Sequence, residues 1–303
     1  MKFFFIYLSF SRFFLPSPHK IIDYWDNNEK FGFYDAKGDI YEIQNNTFRS
    51  FSSLNPFIKE YKFVSNYSIV DYISKNKISS LIEKENDNEK LLFSWGDTTL
   101  YQTMFHNNIF FRINYFGKYL ILKNKFIDED YITELKEDEY LQYCLSFHSY
   151  LVTINNYNEL SIYHYTGKEF EKKIQHYLFY KEPIKKIRLQ KLHNYIYMNI
   201  LYRDNLFKSL TFFHDESENK FRYLHQNDII IRDTVIDFNL KFPYVYILTD
   251  TNIQCYLLKT FDNFSQLKFK RFLIHNYQSI YYFNEKLYLT GEKSIDFFEI
   301  KKK

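Results

Sequence analysis

One motif recurs along the chain: an apolar run of strand length, a polar turn of two to four residues, then a second apolar run. The clearest copy is Tyr244–Leu258, YVYILTDTNIQCYLL, turning at Thr249-Asp250-Thr251-Asn252. Tyr150–Tyr163 turns at Asn155-Asn156, Tyr195–Leu210 at Arg203-Asp204-Asn205, and Lys286–Ile300 at Gly291-Glu292-Lys293. Upstream copies occupy Phe31–Ile43, Ile69–Ile82 and Tyr119–Phe126, the first of them turning at Lys37-Gly38. The last residues before the turns are Tyr34, Tyr72, Leu122, Ile154, Leu201, Leu248 and Leu289, with a mean spacing of about 42 residues. Four-stranded propeller blades repeat every ~40–50 residues. The spacing therefore predicts an all-β fold, a seven-bladed β-propeller forming one domain over residues 1–303. Each hairpin would supply the inner and middle strands of a blade, and the N-terminal segment would pair with the last blade and close the ring. The intervals run from 32 to 50 residues. A pair of β-sandwiches and an irregular α+β protein remain the rival architectures.

Composition agrees with strands and explains why the repeat is worn. The chain holds 34 Phe and 30 Tyr but one alanine, Ala36. Phe, Tyr, Ile, Asn and Lys have codons of A and T alone, so a strongly A+T-biased genome is inferred. The bias removes the best helix former and enriches strand formers. It leaves only 6 glycines for the turns, so Asn and Asp must serve at left-handed positions. Two cysteines exclude a disulfide scaffold and a four-cysteine zinc site. A net charge of +3 excludes a globally basic nucleic-acid binder, and nucleic acid is not expected as the direct primary ligand.

Residues 1–15, MKFFFIYLSFSRFFL, are apolar and aromatic, and no acid precedes Asp23. Residues 1–20 read either as the closing strand or as a secretory or organellar targeting segment. No run reaches the ~18 apolar residues of a membrane-spanning helix. The expected setting is intracellular, cytoplasm or nucleus, with an organelle as the alternative. Three Asn-x-Ser/Thr sequons, at Asn45, Asn66 and Asn263, are no more than an Asn-rich chain yields by chance.

Two stretches carry a family resemblance. Leu92–Gln102, LFSWGDTTLYQ, places Trp95, Gly96 and Gln102 in a Trp-Gly…Gln order, and Tyr143–Thr153, YCLSFHSYLVT, places His148-Ser149 before Leu151 and Thr153. With Gly117 in Ile113–Leu122 between them, they resemble the repeat of the regulator of chromosome condensation family. The Gln-Leu-Gly signature is lost after Gln102, where Thr103 and Met104 follow. The WD-repeat family is the competitor, with Trp25-Asp26 as the sole Trp-Asp dipeptide. The first resemblance implies a propeller that promotes nucleotide release from a Ran-like small GTPase; His148 falls where that family keeps a core histidine.

No chemistry is written into the sequence. There is no phosphate-binding glycine loop, no HExxH and no Gly-x-Ser-x-Gly elbow. The nine histidines are scattered, and pairs such as His164 and His176 lack metal-ligand spacing. Cys144 and Cys255 lie in strand-like segments and read as buried structural thiols. No cofactor, metal or catalytic residue is expected. Charge clusters remain as partner-binding candidates: the acidic stretch Asp128, Glu129, Asp130, Glu134, Glu137, Asp138 and Glu139, and the basic run Lys185, Lys186, Arg188 and Lys191. A second basic set, Lys268, Lys270 and Arg271, alternates with Phe269 and Phe272. Each also reads as a solvated loop or strand face. The expected function is a non-catalytic protein–protein interaction platform within a larger assembly. Guanine-nucleotide exchange on a Ran-like GTPase and membership of an organellar or ribonucleoprotein complex are the alternatives.

Overall fold

The computed structural model describes residues 10–14, 20–26, 31–35, 39–44, 47–53, 58–64, 67–72, 78–85, 88–96, 101–106, 109–116, 119–124, 130–134, 141–147, 149–166, 170–218, 220–258, 265–267, 277–291 and 294–300. Every regular element among them is a strand. The strands form seven four-stranded antiparallel sheets. The first is β2 (Ile21–Asp26), β3 (Phe31–Asp35), β4 (Asp39–Gln44) and β5 (Thr47–Ser53). Next come β6 (Ile58–Val64), β7 (Tyr67–Tyr72), β8 (Ile78–Glu85) and β9 (Asn88–Gly96), then β10 (Tyr101–His106), β11 (Ile109–Phe116), β12 (Tyr119–Asn124) and β13 (Asp130–Glu134). The fourth sheet is β14 (Leu141–Phe147), β15 (Tyr150–Asn155), β16 (Glu159–Tyr165) and β17 (Phe170–Tyr177). The fifth is β18 (Ile184–Leu192), β19 (Tyr195–Tyr202), β20 (Leu206–Asp215) and β21 (Lys220–Ile230), and the sixth is β22 (Val235–Lys241), β23 (Tyr244–Thr249), β24 (Ile253–Leu257) and β25 (Ser265–Leu267). The seventh joins the chain's ends. Here β26 (Ser279–Phe283), β27 (Lys286–Thr290) and β28 (Ser294–Glu299) take β1 (Phe10–Phe14) as their fourth strand, with Phe10 opposite Phe298 and Phe14 opposite Ser294.

All seven anchor residues fall in different sheets. Six lie in the second strand, but Leu122 lies in β12, a third strand. The hairpin of that sheet is β11–β12, and the repeat is slipped there by one strand. Moving the anchor to Phe116, the end of β11, changes the flanking intervals from 50 and 32 to 44 and 38 residues. Part of the unevenness was thus a misplaced anchor.

Asparagine replaces glycine at the turns. Asn158, Asn205 and Asn284 have φ of 59°, 67° and 45°. A short polar side chain makes that region tolerable because it bonds locally. In the β15–β16 turn, Asn155 Oδ1 accepts from the N–H of Tyr157 at 3.0 Å and of Glu159 at 2.9 Å. In the β23–β24 turn, Thr249 Oγ1 accepts from the N–H of Asn252 at 3.0 Å.

A further repeat is visible only in register. The first strand of five sheets carries an irregularity at its second residue, between Ile21/Asp23, Ile58/Glu60, Leu141/Tyr143, Ile184/Lys186 and Val235/Asp237. A bulge re-aims the side chain that follows it. Two of the residues so placed reach the first strand of the next sheet. Tyr143 donates its O–H to Ile184 O at 2.6 Å, and buried Asp237 accepts the N–H of Ile280 at 3.1 Å. These bonds span 41 and 43 residues, the period of the sequence repeat.

The chain divides into two compact units: Met1–Asp97, Asn205–Lys208 and Asn227–Lys303, and Thr98–Asp204 with Ser209–Gln226. In the first unit, consecutive sheets pack through aromatic and branched side chains. Tyr246, Leu248, Ile253 and Cys255 meet Ile280, Leu287, Leu289 and Phe298. On its other side the β26–β28 sheet packs Tyr288, Ile295 and Phe297 against Ile21, Tyr24, Phe31, Phe33 and Tyr41. Phe31 stacks on Tyr281 with centroids 4.9 Å apart and planes 7° apart. The sheet holding β1 therefore contacts both the sixth sheet and the first. In the second unit, β15 is buried at every residue and β16 at all but one, whereas β17 alternates between half-buried and exposed. Middle strands covered on both faces read as continuous apolar runs and not as a two-residue alternation.

Candidate interaction surface

Large apolar side chains left in water are the informative ones in a soluble fold. In the second unit they cluster at one end of the β14–β17 sheet. Tyr157, in the β15–β16 turn, is 53% exposed; Tyr177, at the end of β17, is 48% exposed; Phe179, just beyond it, is 90% exposed. The backbone ties these segments together: Leu178 donates its N–H to Asn158 O at 2.9 Å, and Arg203 donates its N–H to Pro183 O at 3.0 Å. Tyr180 donates its hydroxyl to Asp204 and packs edge-on against Tyr202, centroids 4.8 Å apart. That hydrogen bond, with help from burial, raises the Tyr180 phenol to about 12. Tyr223 and Leu224 on the outer strand β21 are also exposed, and Tyr223 stacks on His176 of β17 at 4.3 Å.

The basic run predicted from sequence begins at this end. Lys185 is exposed, and Lys186 and Arg188 are half-buried in β18. Lys186 follows the β18 irregularity, the register position that Tyr143 and Asp237 use to bond the next sheet. Lys191 lies at the far end of β18 and is drawn into a separate cluster. Of the acidic candidates, Asp128, Glu129, Glu137, Asp138 and Glu139 lie outside the described residues, while Asp130 and Glu134 are the first and last residues of β13. Lys268, Lys270, Arg271 and His148 also lie outside them.

That separate cluster was not foreseen. At the opposite end of β14–β17, Tyr150 is 1% exposed and its hydroxyl is 2.7 Å from Nδ1 of fully buried His214. The His164 ring lies edge-on to His214, centroids 4.6 Å apart, and Phe221 packs on His214 at 5.1 Å. Lys191 lies over the Tyr150 ring, 5.5 Å from its centroid, and its Nζ is 2.5 Å from Glu216. Burial, then the neighbouring His214 and Lys173, pull half-buried His164 down to about 4, which keeps it neutral beside His214. The pair that meets is 50 residues apart in sequence. Its one sequence signal is positional: each histidine is the second-last residue of its sheet's third strand, in SIYHY and TFFHD.

Other chemistry is sparse. Among the described residues no group of three or more metal-ligating side chains gathers. Burial pushes the Cys255 thiol up to about 12, which suppresses the thiolate that a nucleophile needs. A cleft of about 420 Å³ in the first unit is lined by Lys20, Ile21, Ile236, Tyr277, Ser279 and Thr290, among others.

No protein-family profile matches the chain, and no curated protein matches it by sequence. Solved structures do. Kluyveromyces lactis Hsv2 is similar at a TM-score of 0.62 and 11% identity, covering 94% of this chain and 98% of that one. The β-propeller domain of Myceliophteria thermophila Cps50 (Swd1) is similar at 0.64 and 11% identity, covering 95% and 99%. BamB from Moraxella catarrhalis is similar at 0.56 and 8% identity, covering 98% of each chain. The fold is a β-propeller. At these identities the likeness extends to the fold alone. The chromosome-condensation resemblance stays a resemblance: Trp95-Gly96 closes β9, Gln102 lies in β10, and Ser149 is a buried turn residue. Among the described residues no helix is long and apolar enough to cross a membrane.

Proposed function

We propose that this chain is a non-catalytic protein–protein interaction platform, a seven-bladed propeller closed by its N-terminal strand and acting inside the cell as a subunit of a larger assembly. The observation that carries the reading is the aromatic end of the second unit, where Tyr157, Tyr177 and Phe179 stand in water at one end of the β14–β17 sheet. Aromatic anchors of this kind dominate interface energetics, and rigid sheets that present loops are a common recognition scaffold. The seven four-stranded sheets, and β1 bonded to β28, support the blade number and the closure. The basic side chains of Lys185, Lys186 and Arg188 would border the interface, and Asp128, Glu129, Asp130, Glu137 and Asp138 would offer a second, acidic docking region.

The test is the native size of the tagged chain in extract of its own cells. The chain is expected to elute above the mass of one copy with a stoichiometric protein partner that survives nuclease treatment. Elution as a lone monomer overturns the proposal.

A further inference from the structure

We infer that Asn199 binds a buried water molecule inside the fifth sheet. The inference concerns the interior of the fold and does not depend on the scaffold reading.

The middle strand β19 reads YIYMNILY, one amide in an otherwise apolar and aromatic run. Asn199 is fully buried, and so are Met198, Ile200 and Leu201 beside it. Neither its Nδ2 nor its Oδ1 has a hydrogen-bond partner, and no other described side chain has two such buried atoms. The register irregularities show how unusual the residue is. In the five sheets that carry one, the residue following it lies opposite Tyr34, Asp71, Ile154, Leu201 and Leu248. Two residues before these stand Gly32, Ile69, Val152, Asn199 and Tyr246. Val152 and Tyr246 are buried core residues. The fifth sheet alone puts an amide at this position. Codon bias does not account for it, because Ile, Phe and Tyr codons are as rich in A and T as those of Asn.

A buried amide without a partner gives up its bonds to solvent and gains none in return. Native folds meet that cost with ordered water wherever further polar groups stand close by. The register supplies such groups. Asn199 lies directly opposite Arg188 of β18. On its other side, His214 donates its N–H to Asn194 O. The same antiparallel count sets Ser209 of β20, 2% exposed, opposite Asn199. Directly opposite residues share a face of the sheet, with Cβ atoms about 4.5–5.5 Å apart. A guanidinium, an amide and a hydroxyl thus form one row across three strands, and a water can bridge polar groups that do not meet directly. A metal cation would share the row with the charge of Arg188, and among the described residues no group of metal-ligating side chains gathers.

The test is a high-resolution crystal structure of the intact chain, joined to water-oxygen magnetic relaxation dispersion on the wild type and Asn199→Leu in solution. A water peak is expected at hydrogen-bond distance, about 2.7–3.2 Å, from an amide atom of Asn199. Asn199→Leu should hold one long-lived water fewer than the wild type. Leucine suits a position that is apolar in the other sheets, and the wild-type crystal decides the matter if the variant does not fold. Absence of a peak, an amide bonded directly to another side chain, or an unchanged count of long-lived waters would overturn the inference. So would an anomalous peak at the amide in a bromide-soaked crystal, which would show an anion in place of water.

Discussion

The two ends of the β14–β17 sheet use the same side chains to opposite purpose. At one end Tyr150 pairs with His164 across β15–β16 and bonds His214, shut away from water. At the other, Tyr157, Tyr177 and Phe179 face solvent. In a chain with 64 Phe and Tyr, residue type alone does not separate core from interface. What separates them is whether a neighbouring element covers the ring. Tyr150 is covered by Phe221 and Lys191, whereas Phe179 emerges where β17 has ended and β18 has not begun. The buried end should therefore govern stability and the exposed end binding.

The largest expected effect is at the buried end. Tyr150→Ala empties a site at 1% exposure and removes the hydrogen-bond partner of His214. Loss of a large buried ring costs ~3–5 kcal/mol, so urea denaturation should show a drop of that order. Tyr150→Phe keeps the ring but strands a buried histidine nitrogen, and about 1–2 kcal/mol is expected. If Tyr150→Ala were no worse than Phe179→Ala, the division between the ends would collapse.

Acid should strike the same end. His164 is held near 4, below the ordinary value of 6.5, by burial first and by His214 and Lys173 after it. A histidine whose folded value is depressed contributes stability that is complete above about 6.5 and lost as pH falls toward about 4, because the unfolded chain binds the proton first. The contribution is on the order of 2 kcal/mol. Glu216, lowered by its hydrogen bond to Lys191, loses stability in the same direction. Thermal midpoints of the wild type and His164→Gln, compared across pH 7 to 4, should converge as pH falls. Parallel curves would show that His164 is not the titrating group.

How far the sequence showed all this differs by level. The strand–turn–strand period located a hairpin in every sheet, because middle strands covered on both faces must be apolar and their turns must be polar. It slipped once, at Leu122, where β11 and β12 are both apolar and the anchor fell in β12 instead of β11. The outer strands were not individually legible; β17 and β21, whose residues are half-buried or exposed, show why, since such a pattern resembles a loop. The basic run at Lys185, Lys186 and Arg188 was legible as charge, but not that the β18 irregularity would give Lys186 a register position used for bonding between sheets. Phe179 was invisible: in HYLFYKEP it looks like another buried strand residue, and only the end of β17 puts it in water.

A smaller effect tests what supports the exposed end. Asn155→Ala removes the oxygen that closes the β15–β16 turn on the N–H groups of Tyr157 and Glu159. About 1–2 kcal/mol is expected, as for loss of a comparable cap, together with weaker partner binding, because Tyr157 loses its fixed position. A loss of stability without any change in binding would remove Tyr157 from the interface.

The smallest stability effect belongs to the residue with the largest expected role. Phe179→Ala deletes a ring that is 90% exposed, so little buried area is lost, and a change within about 0.5 kcal/mol is expected. Truncating an exposed phenylalanine usually improves solubility, because it removes an apolar site that water already touched. Selection for folding alone gives no reason to keep such a ring between an anchored Leu178 and an anchored Tyr180. If urea titration shows Phe179→Ala to cost several kcal/mol, the ring is covered in solution, and the exposed end becomes a second core. If the variant is as stable as the wild type and loses its partner, then exposure at a fixed backbone position is what distinguishes an interface tyrosine or phenylalanine from the dozens that merely fill this fold.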